Sequence, residues 1–194
     1  MQNTSYTATA KALHWGVAVL LFGMLGLGFY MADLPISPTK LKLYSWHKWA
    51  GVSLFVLVVV RLAWRAGHRP PALPQHMSRI ACYAAHAGHA ALYALMLAIP
   101  LSGWLMSSAQ GFQTVWFGVL PLPDLVGRDE ALGEIFNTVH VYLNFALVAL
   151  VAAHIGAAFK HHFKYRDDVL VRMLPGRKSG KNAQEISQNP KKHA

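Results

Sequence analysis

Cysteine is almost missing: Cys82 stands alone in 194 residues. That excludes an internal disulfide, a cysteine-rich zinc site and an iron–sulfur cluster held within the chain. Charge is scarce as well, at 13% of residues, about half the ~25% of ordinary soluble domains. A water-soluble domain of this length could bury a core, but it would not keep so few charges. Negative charge is scarcest, with eight Asp and Glu against eighteen Lys and Arg, for a formal charge of +10. No carboxylate falls inside a membrane-length apolar run, so a carboxylate-bridged di-iron centre is excluded. Neither a nucleotide-binding glycine loop nor an internal repeat is evident. The first apolar run follows a short polar start, contains His14 and lacks a small-residue cleavage site, so it is expected to be a retained helix rather than a signal peptide.

What the chain does have is apolar length: 54% of residues are hydrophobic and the mean hydropathy is +0.29. The clearest run lies within 134–162. Residues 141–159 carry no charge, and Asn144 and His154 are their only strongly polar members. A bilayer-spanning helix needs roughly 20 mostly apolar residues. His140 and His154 are fourteen residues apart. That separation is about 21 Å along a helix axis, and fourteen steps of about 100° end within roughly 40° of whole turns. Both imidazoles therefore leave one face, one near each edge of the hydrocarbon. Ionisable residues inside a membrane mark function by default, and this pair suggests two stacked metal centres.

Three further runs predict spans over about 11–31, 43–65 and 79–106. The expected architecture is all-α: an integral membrane four-helix bundle, one domain over residues 8–176. Residues 32–43 are expected as a polar loop holding Lys40 and Lys42. In the 107–133 connection, Trp116, Phe117 and Leu120-Pro121-Leu122-Pro123 read as a segment in the membrane interface. Residues 164–174 read as an amphipathic surface helix, and 177–194 as a basic, disordered cytoplasmic tail.

Four spans place both termini on one side. Every Lys and Arg except Lys40, Lys42, Lys48 and Arg128 falls there, so that side is predicted to be cytoplasmic. The same bias explains the basic charge by membrane topology, with no nucleic-acid partner. Depth then sorts the histidines. His140 and His47 lie at the outer level; His154 and His14 lie at the inner level. Paired neutral imidazoles from facing helices suit a bis-histidine haem b. His86 and His89 also start on the inside, and either is an alternative to His14 as partner of His154. Arg61 reads either as a snorkelling cation or as a partner for a buried carboxylate such as a haem propionate.

His14-Trp15, Trp46-His47, Val59-Val60-Arg61-Leu62, Ala85-His86-Ala87-Gly88-His89, His140 with His154, His161-His162 and the closing Leu170-Val171-Arg172-Met173-Leu174-Pro175 resemble the bacterial cytochrome b561 family, in particular its small stand-alone members that oxidise superoxide. The resemblance covers about residues 8–176. It implies two b haems, His47 and His140 on the outer one, and His14 and His154 on the inner one. It also implies exchange of electrons with ubiquinone in a cytoplasmic-side pocket near His161, in a multi-pass protein of the bacterial inner membrane.

The activity expected from that resemblance is oxidation of superoxide to dioxygen on the periplasmic side, with reduction of ubiquinone. His161 or His162 would relay protons, and Lys40, Lys42, Lys48 and Arg128 would make a positive entrance for the anion. The rival reading is a cytochrome b anchor or electron-transfer subunit that links a dehydrogenase, hydrogenase or periplasmic cytochrome to the quinone pool. The expected partners are membrane lipid, ubiquinone and superoxide, with a redox partner protein or a second copy of the chain under the rival.

Overall fold

The computed structural model describes residues 5–74 and 77–176; the tail expected at 177–194 lies outside the described residues. Four long helices dominate: α1 (Ala8–Ala32), α2 (Pro38–Gly67), α3 (Arg79–Ala109) and α4 (Glu130–Phe159). Each opens on a polar side chain, Thr7, Ser37, Ser78 or Asp129, that accepts a hydrogen bond from the first turn. Such caps satisfy backbone N–H groups that have no partner inside the helix. Capping extends α2 beyond its apolar run. Ser37 caps it and Pro38 fills the first position, where a missing N–H costs nothing. Lys40 and Lys42 therefore belong to the first turns of α2 rather than to a loop.

All four helices are long and apolar enough to cross a membrane. Backbone neighbours are α1 with α2, α2 with α3, and α3 with α4. Across the remaining seam α4 meets α1 and α2 through rings, among them Phe29 against Phe145 at 6.1 Å between centroids. The two ends of the described chain meet at one end of the bundle. Ser5 Oγ donates to the Arg172 carbonyl at 3.3 Å, and Trp15 Nε1 donates to the Met173 carbonyl at 3.0 Å. That end is called inner below.

Beyond α4 the chain continues as a π-helical turn, Lys160–Tyr165, and stops at Arg166, whose φ of 51° is left-handed. The surface helix expected over 164–174 does not form. The left-handed Arg166 breaks it, and only a short 3-10 turn, Val171–Met173, follows.

The connection between α3 and α4 holds an antiparallel hairpin, β1 (Val115–Trp116) with β2 (Leu120–Pro121), in the register Val115 to Pro121 and Trp116 to Leu120. It is folded down onto α2. Trp49 Nε1 donates to the Val115 carbonyl at 2.6 Å, and Trp116 Nε1 donates to Ser53 Oγ at 3.3 Å. These two indole donors tie the hairpin to α2, the first to a carbonyl that also accepts from the Gly118 N–H at 3.1 Å and the second to a hydroxyl.

The buried core is a mid-bundle layer of Val17, Leu21, Leu54, Val58, Leu92, Met96, Ile99 and Leu147. Between lipid-facing helices such a layer is held by close packing, since lipid tails are as apolar as leucine.

Candidate functional site

A seven-residue step returns a helical position to within about 20° of the same face. Four such stripes face one another. They run His14, Leu21, Gly28 on α1; His47, Leu54, Arg61 on α2; His89, Met96, Gly103 on α3; and His140, Leu147, His154 on α4. Antiparallel packing stacks them into three levels. The inner level holds His14, Arg61, His89 and His154. The middle level, Leu21, Leu54, Met96 and Leu147, belongs entirely to the buried core. The outer level holds His47 and His140 with two glycines.

Each polar level contains a pair of imidazoles from facing helices. His47 and His140 have ring centroids 6.4 Å apart, and His14 and His154 have theirs 6.3 Å apart, with the rings nearly perpendicular in both pairs. A metal–imidazole bond of about 2 Å on each side, plus about 1 Å from each nitrogen to its ring centre, sets opposed ligand rings roughly 6–6.5 Å apart. Both pairs fit one metal atom between them. His89 approaches His154 at 5.4 Å, closer than an opposed ligand pair would stand. His86 lies one turn nearer the start of α3. Among the described residues no cluster of three or more His, Cys, Asp or Glu is arranged as a metal site, so the candidate ligands come as pairs.

The surroundings of the outer pair fit a bound prosthetic group. His140 Nδ1 lies 3.0 Å from Ser102 Oγ and 3.1 Å from the Ile99 carbonyl. A carbonyl only accepts, so Nδ1 carries the proton and donates, which leaves Nε2 with its lone pair for a metal. The glycines bring the rings this close to the helices. A Cβ on Gly103 would sit 3.2 Å from His140 Cε1, and one on Gly28 would sit 3.4 Å from His47 Cε1. His47 Nδ1 is buried without a hydrogen-bond partner.

At the inner level Arg61 donates from Nε to the Tyr93 hydroxyl at 2.9 Å and from Nη1 to the Ala10 carbonyl at 3.0 Å. Its guanidinium is thus drawn between helices rather than extended along the lipid face. A cavity of about 250 Å³ lies nearby, lined by Tyr6, Thr7, His68 and Arg69 among others. Burial raises the Tyr6 phenol above its ordinary range and outweighs the opposing pull of Arg65 and Arg61. His161 follows His154 by seven residues, in the π-helical turn beyond α4, and its Nδ1 meets Asp167 Oδ2 at 2.5 Å. His162 packs against Phe163 instead.

Two of the cations expected to form a positive entrance are committed to structure. Lys48 Nζ donates to Ser107 Oγ and to the Phe112 and Gln113 carbonyls at 3.2–3.3 Å, which ties α2 to the α3–α4 connection. Lys40 Nζ braces the Ala32 and Leu34 carbonyls. The backbone of a short connection needs donors, and these two lysines supply them.

Gly28, Gly103 and Ser102 escaped the reading from sequence. The glycines were detectable, each being fourteen residues from a histidine on its own helix. Ser102 carried no such signal, since its role depends on which helix faces α4.

The prokaryotic cytochrome b561 family model matches residues 5–176. Cytochrome b561 homolog 2 of Escherichia coli (strain K12) is 35% identical over 170 residues, covering 87% of this chain and 90% of the relative. Cytochrome b561 homolog 1 of the same organism is 29% identical over 177 residues, covering 89% and 98%. A probable superoxide oxidase, CybB, of Yersinia pestis is 26% identical over 129 residues, covering 66% and 73%.

Proposed function

Since the chain belongs to the prokaryotic cytochrome b561 family of membrane electron-transfer proteins, we propose that this multi-pass inner-membrane protein binds two b haems and passes electrons from periplasmic superoxide to ubiquinone. The observation that carries this reading is the pair of opposed imidazole pairs, 6.4 and 6.3 Å between centroids, at two levels of one bundle. His47 and His140 hold the outer haem; His14 and His154 hold the inner one. When bound, each haem supplies a one-electron iron couple, which suits a one-electron donor and an acceptor that takes two electrons in turn. The termini face the cytoplasm, by the concentration of Lys and Arg at the inner end.

The chain's own residues do the rest. Ser102 and the Ile99 carbonyl hold His140 in one tautomer. Leu54 and Leu147, 3% and 1% exposed, exclude water between the two levels. Arg61 keeps Nη2 clear of its bonds to Tyr93 and Ala10, so it can take a propionate carboxylate. His161 stands on the inner side to exchange protons with the quinone.

The deciding experiment is a reduced-minus-oxidised spectrum of purified protein, with haem counted per chain, followed by stopped-flow reduction by superoxide and reoxidation by ubiquinone. A b-type band, two haems per chain and both reactions are expected. Absence of a b-type band removes the reading, and absence of the superoxide step alone removes the donor. A second reading, an electron-carrying subunit docked to a redox partner, is favoured by the hairpin, where Phe117 is 59% and Val119 84% exposed. Co-purification of a stoichiometric redox protein would select it.

Two variants test the site locally. Gly103→Ala places a methyl group 3.2 Å from His140 Cε1. The ring must move, so the outer haem is expected to bind at least tenfold more weakly while the inner one is retained, as read by haem titration. Arg61→Gln removes a positive charge beside the inner haem and is expected to lower that haem's midpoint potential by on the order of 60 mV, a tenfold change in a one-electron equilibrium. The outer potential should stay unchanged in the same redox titration.

A further inference from the structure

The inner end carries a histidine–carboxylate pair that its backbone is shaped to hold. The chain leaves α4 through the π-helical turn Lys160–Tyr165, a rare geometry frequently found at functional sites. Arg166 then turns the chain back with its left-handed φ of 51°. As a result the Asp167 N–H donates to the carbonyl of His161 at 3.2 Å. The Asp167 carboxylate is set from both sides. Oδ1 accepts from the Val169 N–H at 3.1 Å, and Oδ2 meets His161 Nδ1 at 2.5 Å. The two side chains are 8% and 15% exposed, so water competes little for the contact. The Tyr165 ring lies 5.3 Å from the His161 ring, Lys160 Nζ lies 5.6 Å from the Tyr165 ring centroid, and Asp168 is occupied by Arg172.

We propose that Asp167 is the positioning residue of a His161–Asp167 dyad that delivers protons from His161 Nε2 to the electron acceptor at the inner end. The inference rests on the reading that this acceptor is a quinone. A carboxylate on Nδ1 keeps a proton there in both charge states of the ring, so Nε2 is the atom that gains and loses one. His161 lies seven residues, about 10 Å of helix rise, beyond His154 toward the inner end. The dyad therefore sits just past the inner end of α4, beyond the inner histidine level.

The balance is simple. A quinone takes two electrons, arriving singly from the inner level, and two protons. For each proton an O–H bond forms at a quinone oxygen as the Nε2–H bond breaks, leaving neutral imidazole with its Nδ1–H on Asp167. Water at the inner face returns the proton to Nε2 before the second transfer.

The test compares two oxidants on the haem-loaded, pre-reduced protein: a soluble ubiquinone, which needs protons, and ferricyanide, which does not. Asp167→Asn is expected to slow reoxidation by quinone about 100-fold, the usual scale of a lost acid–base contribution. Reoxidation by ferricyanide should stay at the wild-type rate, and Asp167→Glu should recover most of the quinone rate. Nitrogen-15 spectra of histidine-labelled protein, with the His161 signal assigned by its loss in His161→Gln, should show Nδ1–H in wild type and a tautomer mixture in Asp167→Asn. An unchanged quinone rate, equal slowing with both oxidants, or an unchanged tautomer in Asp167→Asn would each overturn the dyad. If the wild type itself is not reoxidised by quinone, the proposed function fails instead, and the nitrogen-15 result still decides whether Asp167 sets the tautomer.

Discussion

If the proposed function is right, replacing His140 by Ala should leave one b haem per chain in place of two. The two imidazole pairs lie toward opposite ends of α4, their α4 members fourteen residues or about 21 Å apart. The layer between them is closed, with Leu147 1% exposed midway between the two histidines. Losing the outer imidazole therefore opens one site without reaching the other. Among the described residues, the facing stripes offer no other imidazole at that level. The neighbouring α3 position is Gly103, and Ser102 offers a hydroxyl that already donates to the Ile99 carbonyl at 2.8 Å. Haem quantified against protein should fall by half, and the surviving spectrum should be that of the inner haem alone. A His140→Ala protein that still carries two haems would show that His140 is not a ligand. A protein that loses both would show that the levels are not independent.

The inner level gives the second large effect, and a sharper choice. His14→Ala should lose the inner haem, whereas His89→Ala and His86→Ala should each keep both haems. Three imidazoles approach one another here, but they are not equivalent. His14 stands 6.3 Å from His154, the spacing of opposed ligands, while His89 stands at 5.4 Å. The 5.4 Å between His89 and His154 is shorter than the roughly 6–6.5 Å that two imidazoles on opposite sides of one metal atom would need. His89 would line the inner site rather than hold its metal, so its removal should shift the inner potential without emptying the site. Haem loss in His89→Ala with full retention in His14→Ala would reverse the pairing.

The histidines were legible because a membrane removes alternatives. In a chain with so few internal charges, each intramembrane imidazole stands out, and helix rise converts its number into a depth. Periodicity did less well wherever hydrogen bonds outweigh hydropathy. The first turns of α2 are polar and read as a loop, yet Ser37 and Pro38 start the helix there. The segment after α4 has an amphipathic pattern, yet Arg166 breaks it, and the break creates the contact between His161 and Asp167. Lys48 read as an open surface charge beside His47, but the carbonyls of the connection claim it.

By itself, then, the sequence determined the number of spans, the two depths and the histidines at each, because hydrophobic length and helical rise are local properties. Which of His14, His86 and His89 opposes His154 was decided only by the tertiary structure. So were the choice of Ile99 and Ser102 as partners of His140, the glycines against which the outer rings lie, and the carboxylate that reaches His161. Those depend on which helix faces which, and on where a backbone turns against its own pattern, and neither is written in the periodicity of a single chain.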